Sequence, residues 1–317
     1  MTSPRQRSIE VRVPASTANL GAGFDCLGLA LELYLTARAT VQVRPDSRTL
    51  ARTRGVSGSS LLPRAPEQNL IFRAMRYAAE QDGFQLPAVR LAVNNEIPMA
   101  GGLGSSAAAA VAGIALAYAV TGRPIARENA LRYAKQIEGH ADNAGAALLG
   151  GLVVTYTLPH AGVGATRLAW PKMIRVVAVT PALELPTKKS RAVLPASVLR
   201  DDAVLNLQRS ALFVAAIEER RYDLIWDAMQ DRLHQRYRQK LIPGLAEVLS
   251  MPRIPGLLGL ALSGAGPSVV ALATAGFDEI GKTIAACFER AGVAATIRLL
   301  EVAHDGISIL ENRPRRR

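Results

Sequence analysis

The sequence predicts an α+β protein of two domains, on three observations. The chain has 317 residues, a length that divides between two hydrophobic cores as a rule. Strand-like and helix-like patterns alternate without the steady rhythm of a doubly wound parallel sheet. A glycine- and serine-rich loop opens an alanine-rich run at Pro98-Met99-Ala100-Gly101-Gly102-Leu103-Gly104-Ser105-Ser106-Ala107-Ala108. The expected domains are 1–162 and 163–317, divided near the glycine-containing link 160–164.

Residues 9–14 alternate as a first strand, and 27–35 and 37–43 read as strands around a turn. The stretch 44–66 is polar and punctuated by Pro, Gly and Ser, which predicts a loop. Leu70, Ala74, Tyr77 and Ala78 share one face of a helix over 69–82. A short strand at 88–94 leads to the glycine loop and to a helix over 107–120, which the helix propensity of alanine supports. A helix over 127–138 and an apolar strand at 152–156 complete the first half. The second half predicts a strand at 174–180, helices at 201–220 and 222–239, strands at 257–262 and 269–274, a helix at 279–291 and a last strand at 295–302. Ser263-Gly264-Ala265-Gly266-Pro267-Ser268 separates the two middle strands.

Composition excludes several classes. Hydrophobic residues make up 49% and charged residues 20%, as in an ordinary globular protein. The two cysteines, Cys26 and Cys287, are far apart and suit neither a disulfide scaffold nor a metal motif. The first ten residues lack the apolar core of a signal peptide. The net charge of +12 is unusual, but the arginines are dispersed and not interleaved with aromatics, so no nucleic-acid partner is expected. The uncharged stretches 97–122 and 254–277 are long enough to be membrane candidates. Their glycines and prolines, and the absence of basic flanks, argue for buried elements instead.

A glycine loop that opens a helix gathers backbone N–H groups and the positive end of the helix dipole, which suits a phosphate. A plain serine-capped helix is the alternative. Two adjacent hydroxyls exceed what one cap needs, and the second can ligate Mg²⁺. No lysine follows, so the loop is not a Walker A motif. A literal Walker match does occur at Gly276-Phe277-Asp278-Glu279-Ile280-Gly281-Lys282-Thr283. Asp278 and Glu279 would repel phosphate there, and internal glycines are lacking. Two acids in a first helical turn explain it better.

Four other polar groupings interrupt apolar sequence: Pro14-Ala15-Ser16-Thr17-Ala18-Asn19-Leu20-Gly21-Ala22-Gly23-Phe24-Asp25-Cys26-Leu27-Gly28, Glu138-Gly139-His140-Ala141-Asp142-Asn143, Thr187-Lys188-Lys189-Ser190-Arg191, and 263–268. With the glycine loop, and in this order, they resemble the motifs of the GHMP kinase superfamily and, within it, the homoserine kinase family. The resemblance spans about 11–302. It implies a GHMP kinase fold, with an N-terminal domain like ribosomal protein S5 domain 2 and a ferredoxin-like C-terminal domain.

The resemblance also implies ATP, Mg²⁺ and phosphorylation of the L-homoserine hydroxyl in threonine biosynthesis, by a cytoplasmic enzyme that is expected to form a homodimer. Residues 98–108 would cradle ATP, Asn69 would meet adenine, and Ser106 and Glu138 would hold Mg²⁺. Asp25 would take the substrate ammonium, while Arg191 and Arg238 would take its carboxylate, with Thr187 nearby. Asn19, His140 and Asn143 would orient the substrate and its hydroxyl. Asn19, Asn143 and Arg191 would serve catalysis, with no dedicated base. From the residues alone, Asp25 is equally a turn aspartate, Glu138 a helix-end acid, His140 a capping histidine and Asn69 an N-cap. Arg238 competes with its neighbour Arg236 for its role. The rival activity is another GHMP small-molecule kinase acting on a mevalonate-type acid, which has no ammonium for Asp25.

Overall fold

The computed structural model describes residues 7–42, 52–55, 67–160 and 162–312. Its elements run β1 Ser8–Asn19, β2 Gly23–Val41, β3 Arg52–Gly55, α1 Leu70–Gln81, β4 Val89–Asn95, α2 Ser105–Thr121, α3 Arg127–Glu138, α4 Asp142–Leu149, β5 Leu152–Thr157 and β6 Val163–Leu168. There follow β7 Arg175–Pro181, α5 Thr187–Ala192, α6 Arg200–Glu218, α7 Ile225–Ala228, α8 Gln235–Arg238, α9 Leu245–Leu249, β8 Leu257–Leu262, β9 Val269–Ala273, α10 Phe277–Arg290, β10 Ala295–Leu300 and β11 Ser308–Asn312.

The first sheet has the order β11-β1-β2-β4-β3, and β5 joins it on β2 and carries β6. The helices α1 to α4 supply its core with Ile71, Met75, Leu116, Tyr133 and Leu148. Helix α2 is buried along almost its whole length, and it is correspondingly apolar on every side. At Gly113 an added Cβ would lie 2.3 Å from the carbonyl oxygen of Ile71; the backbones of α1 and α2 approach there as only glycine permits. The second sheet is antiparallel with order β10-β7-β9-β8. A strand, a helical stretch, a β-hairpin, a helix and a last strand in that order form the ferredoxin-like arrangement the resemblance implied.

Several elements differ from expectation. Residues 27–41 contain no turn: β2 is one strand that bulges between its pairings Pro14↔Tyr34 and Ala15↔Leu31, and the extra residues there break the alternation. The expected loop 44–66 lies largely outside the described residues, but 52–55 pairs in parallel with β4. The link 160–164 is not a boundary between sheets. β6 pairs with β5 through Val163 to Leu168, so the chain leaves the first sheet after β6 and enters the second at β7, and β11 returns to β1.

The helix expected over 222–239 breaks at Met229–His234 because the Asp231 carboxylate accepts the backbone N–H groups of Leu233, His234 and Gln235. A side chain that captures backbone donors competes with the helical ladder. The helices α4, α5 and α9 had no sequence expectation. Among the described residues no helix is long and apolar enough to cross a membrane. The literal Walker match begins α10 after Gly276, with Asp278 and Glu279 in its first turn.

Candidate active site

Loops from both sheets line a cleft that opens to solvent. One wall is the glycine loop. Gly102 and Gly104 adopt φ of +83° and +73°, and a Cβ on Gly104 would meet Ser16 Oγ at 2.1 Å. The hairpin 263–268 grips this loop by its carbonyls: Ser268 N donates to Gly101 O at 3.1 Å, and Ser263 Oγ to Gly102 O at 2.6 Å. A trans peptide carries its N–H opposite its C=O, so the N–H groups of Gly102 and Leu103 point away from that hairpin. At the loop's exit α2 adds its positive end.

Ser106 Oγ donates to Glu138 Oε1 at 2.7 Å, joining the start of α2 to the end of α3 on the cleft surface. Ser105 Oγ is held from behind by Asn95 Nδ2 at 3.2 Å. Ala100, Gly101, Gly102, Gly104 and 105–107 line the cleft with Pro98, whereas Met99, Leu103 and Ala108 lie off its surface. Asn69 also lies off it: 1% exposed, it accepts the N–H groups of Ile71 and Phe72 and caps α1.

The other wall consists of side chains. Asn19 and Asp25 take positive φ, 72° and 55°, a conformation costly for residues with a Cβ. Asn19 holds the turn by accepting Asp25 N–H at 3.1 Å and donating to Gly264 O at 2.9 Å. Arg191 forks onto Asp25 with bonds of 3.0 and 2.5 Å. Arg238 is 1% exposed and donates to Ser190 O, Gly264 O and His234 Nδ1. Burial, and then the neighbouring Arg191 charge, lower its pKa to about 10. Both guanidinium groups lie over the Phe24 ring, at 5.6 and 5.5 Å. Arg236 instead points outward to Asp202, so of the two only Arg238 lines the cleft.

Thr187 opens α5 at the cleft edge. At the cleft floor, Asp142 accepts from the Asn143 N–H at 2.7 Å and contacts His140 Nδ1 at 2.8 Å. Burial works to lower the His140 pKa, but the Asp142 hydrogen bond and charge outweigh it and raise it. Asn143 Oδ1 accepts from Ser16 Oγ at 2.9 Å. The cleft thus gathers every expected site residue except Asn69, Met99, Leu103 and Ala108. Sequence reasoning assigned no role to Ser16, Phe24, Asp142, Ser190 and His234. Ser16, Phe24, Asp142 and Ser190 sat inside quoted motifs, whereas His234 carried no signal.

The family model described as GHMP kinases N terminal domain matches residues 69–151, and GHMP kinases C terminal matches 213–289. A homoserine kinase from Desulfitobacterium hafniense is 39% identical across 95% of this chain and 100% of its own. One from Deinococcus radiodurans is 45% identical across 89% and 88%. The crystal structure of homoserine kinase from Cytophaga hutchinsonii superposes with a TM-score of 0.82 at 26% identity, covering 98% of this chain and 99% of that one. A mevalonate diphosphate decarboxylase from Enterococcus faecalis, with a TM-score of 0.66 at 13% identity over 97% and 100%, shares the fold alone.

Proposed function

This chain belongs to the homoserine kinase family of the GHMP kinases, and from that premise we propose that it transfers the γ-phosphoryl group of ATP to the hydroxyl of L-homoserine. The observation that carries the reading is the Asp25–Arg191 pair beside Arg238, across the cleft from Ser106 and Glu138. An amino acid zwitterion can exchange with that pair, its ammonium taking Asp25 and its carboxylate the forks of Arg191 and Arg238. A mevalonate-type acid offers no ammonium, and the mevalonate enzyme above supports only the fold.

The glycine loop and the start of α2 receive the phosphates of ATP. Ser106 and Glu138 fit Mg²⁺. Among the described residues no three His, Cys, Asp or Glu side chains form a ready-made metal cage, and one hydroxyl with one carboxylate suits an ion that keeps phosphate and water as its other ligands. Such an ion would neutralise phosphate charge. Asn19, His140 and Asn143 orient the substrate hydroxyl. Its oxygen bonds to the γ-phosphorus as the bond to the ADP oxygen breaks, and the hydroxyl proton leaves to the transferred phosphoryl group or to water. Positioning and charge stabilisation carry such transfers. Asp142 is already engaged by His140 and Asn143, which supports a reaction without a dedicated base. A cytoplasmic location and a homodimer belong to the same proposal and rest on the family resemblance.

The test is ATP turnover against amino alcohols and hydroxy acids, with and without Mg²⁺. Homoserine is the expected acceptor, and turnover of mevalonate but not homoserine would sink the reading. Glu138→Gln should lower kcat about 100-fold by removing the carboxylate that would hold Mg²⁺ against the phosphates, whereas Asp25→Ala should mainly raise the homoserine KM.

A further inference from the structure

Behind Arg238 lies a buried histidine that touches no part of the cleft surface. His234 is 0% exposed. Its Nδ1 faces Arg238 Nη1 at 3.0 Å, and its Nε2 faces the Gly21 carbonyl at 2.9 Å. A guanidinium only donates and a carbonyl only accepts. The imidazole is therefore neutral, with its proton on Nε2 and a lone pair on Nδ1 directed at Arg238. Its ring stacks on Phe24, with centroids 5.1 Å apart and planes at 23°, and Phe24 also underlies both guanidinium groups.

The charged groups acting on the imidazole are Asp231, 3.7 Å from Nε2, Arg238 and Asp25. The Asp231 carboxylate accepts from Leu233, His234, Gln235 and the Asn206 side chain. Asn206 in turn donates to Ala22 O. The histidine is thus fixed from its own segment, from α6 and from the turn between β1 and β2. Burial holds its pKa below the ordinary histidine value, which keeps Nδ1 free of a proton at neutral pH.

We propose that His234 is a positioning residue for recognition of the substrate carboxylate: the Nδ1 lone pair of its Nε2–H tautomer sets the direction in which Arg238 presents its guanidinium to the cleft. Ser190 O and Gly264 O hold other edges of that guanidinium. Without Nδ1 the arginine loses an acceptor inside a buried site and turns to find another. This inference rests on the homoserine reading given above.

Two substitutions separate the two ring nitrogens. His234→Asn keeps an acceptor near Nδ1, and His234→Gln keeps a donor near Nε2 for Gly21 but leaves Nδ1 unreplaced. The expected result is a homoserine KM about tenfold higher or more in His234→Gln, the loss of one charge-assisted hydrogen bond. In that variant kcat and the ATP KM should stay within about threefold of wild type, and His234→Asn should keep most of the homoserine affinity. The inhibition constant of 3-aminopropan-1-ol, which is homoserine without its carboxylate, should be the same in all three proteins. Equal homoserine KM values in His234→Gln and wild type overturn the proposal. So does a parallel loss of homoserine and 3-aminopropan-1-ol affinity, or a His234→Asn variant no better than His234→Gln. Wild-type protein with no homoserine turnover fails the functional reading and this inference together; homoserine turnover with any of the three preceding results fails this inference alone.

Discussion

The glycine wall of the cleft is made of backbone, and the arginine wall of side chains. Residues 98–107 run as one continuous stretch from the loop into the first turn of α2, and its shape depends on glycines that no Cβ could replace and on carbonyls gripped by Ser263 and Ser268. Across the cleft, Asn19, Asp25, Arg191 and Arg238 come from three separated segments, and each is held by other side chains or by a carbonyl from a distant loop. A backbone wall offers N–H groups to any phosphate, so it identifies a ligand class. A side-chain wall carries fixed charges of both signs, so it selects one member of a class. The difference predicts that lesions on the two walls will separate in their kinetics.

The largest separation should come from Arg238→Met. Removing one member of a buried, hydrogen-bonded charge cluster should lower kcat/KM for homoserine about 100- to 1,000-fold. The ATP KM should stay near wild type. Steady-state kinetics with each substrate varied in turn would break the comparison if both KM values rose together.

A smaller effect on the opposite wall is expected from Gly104→Ala. The new Cβ would sit 2.1 Å from Ser16 Oγ at a φ of +73°, and overpacking of that kind costs about 1–3 kcal/mol. Thermal unfolding should register the loss, and the ATP KM should rise more than the homoserine KM. Gly139→Ala is the control: its φ of +85° is also positive, but nothing lies within 4 Å of the added carbon. It should cost only the backbone term, about 1–2 kcal/mol, and leave the ATP KM alone. A homoserine KM that rose as much as the ATP KM in Gly104→Ala would mean that the two walls move as one.

The same contrast governs what the sequence could disclose. The glycine loop was legible because its chemistry is contiguous, with glycines, hydroxyls and a helix in one run. The core helices α1 and α3 were legible because periodicity is local. Asp25 and His140 had plain alternatives as a turn aspartate and a capping histidine, and only their place within recognised motifs singled them out. Nothing local distinguishes Arg238 from Arg236; the burial of one and the exposure of the other arise from packing. His234 and Asp231 fell inside a segment that reads as continuous helix. The break there is made by Asp231 capturing three backbone N–H groups, an event that propensity cannot register. Asn69 shows the converse, since a residue matched to a motif serves as the cap of α1.

The smallest expected effect is on stability, where His140 in the cleft and His234 behind it should act at opposite ends of the pH range. The pKa of His234 is lowered in the fold, chiefly by burial. The unfolded chain therefore binds a proton below the ordinary histidine value that the folded chain refuses, and stability falls as the pH drops through that range. The pKa of His140 is raised, because its bond to Asp142 outweighs its burial. Its contribution is complete below the ordinary histidine value and is lost as the pH rises through its higher folded value. Denaturant unfolding of the unliganded protein across this range should show both limbs. His234→Asn should flatten the acid limb and leave the alkaline one, and His140→Gln should do the reverse. If His140→Gln flattened the acid limb instead, the Asp142 bond would not outweigh burial at His140, and the cleft floor and the arginine wall would share one electrostatic character.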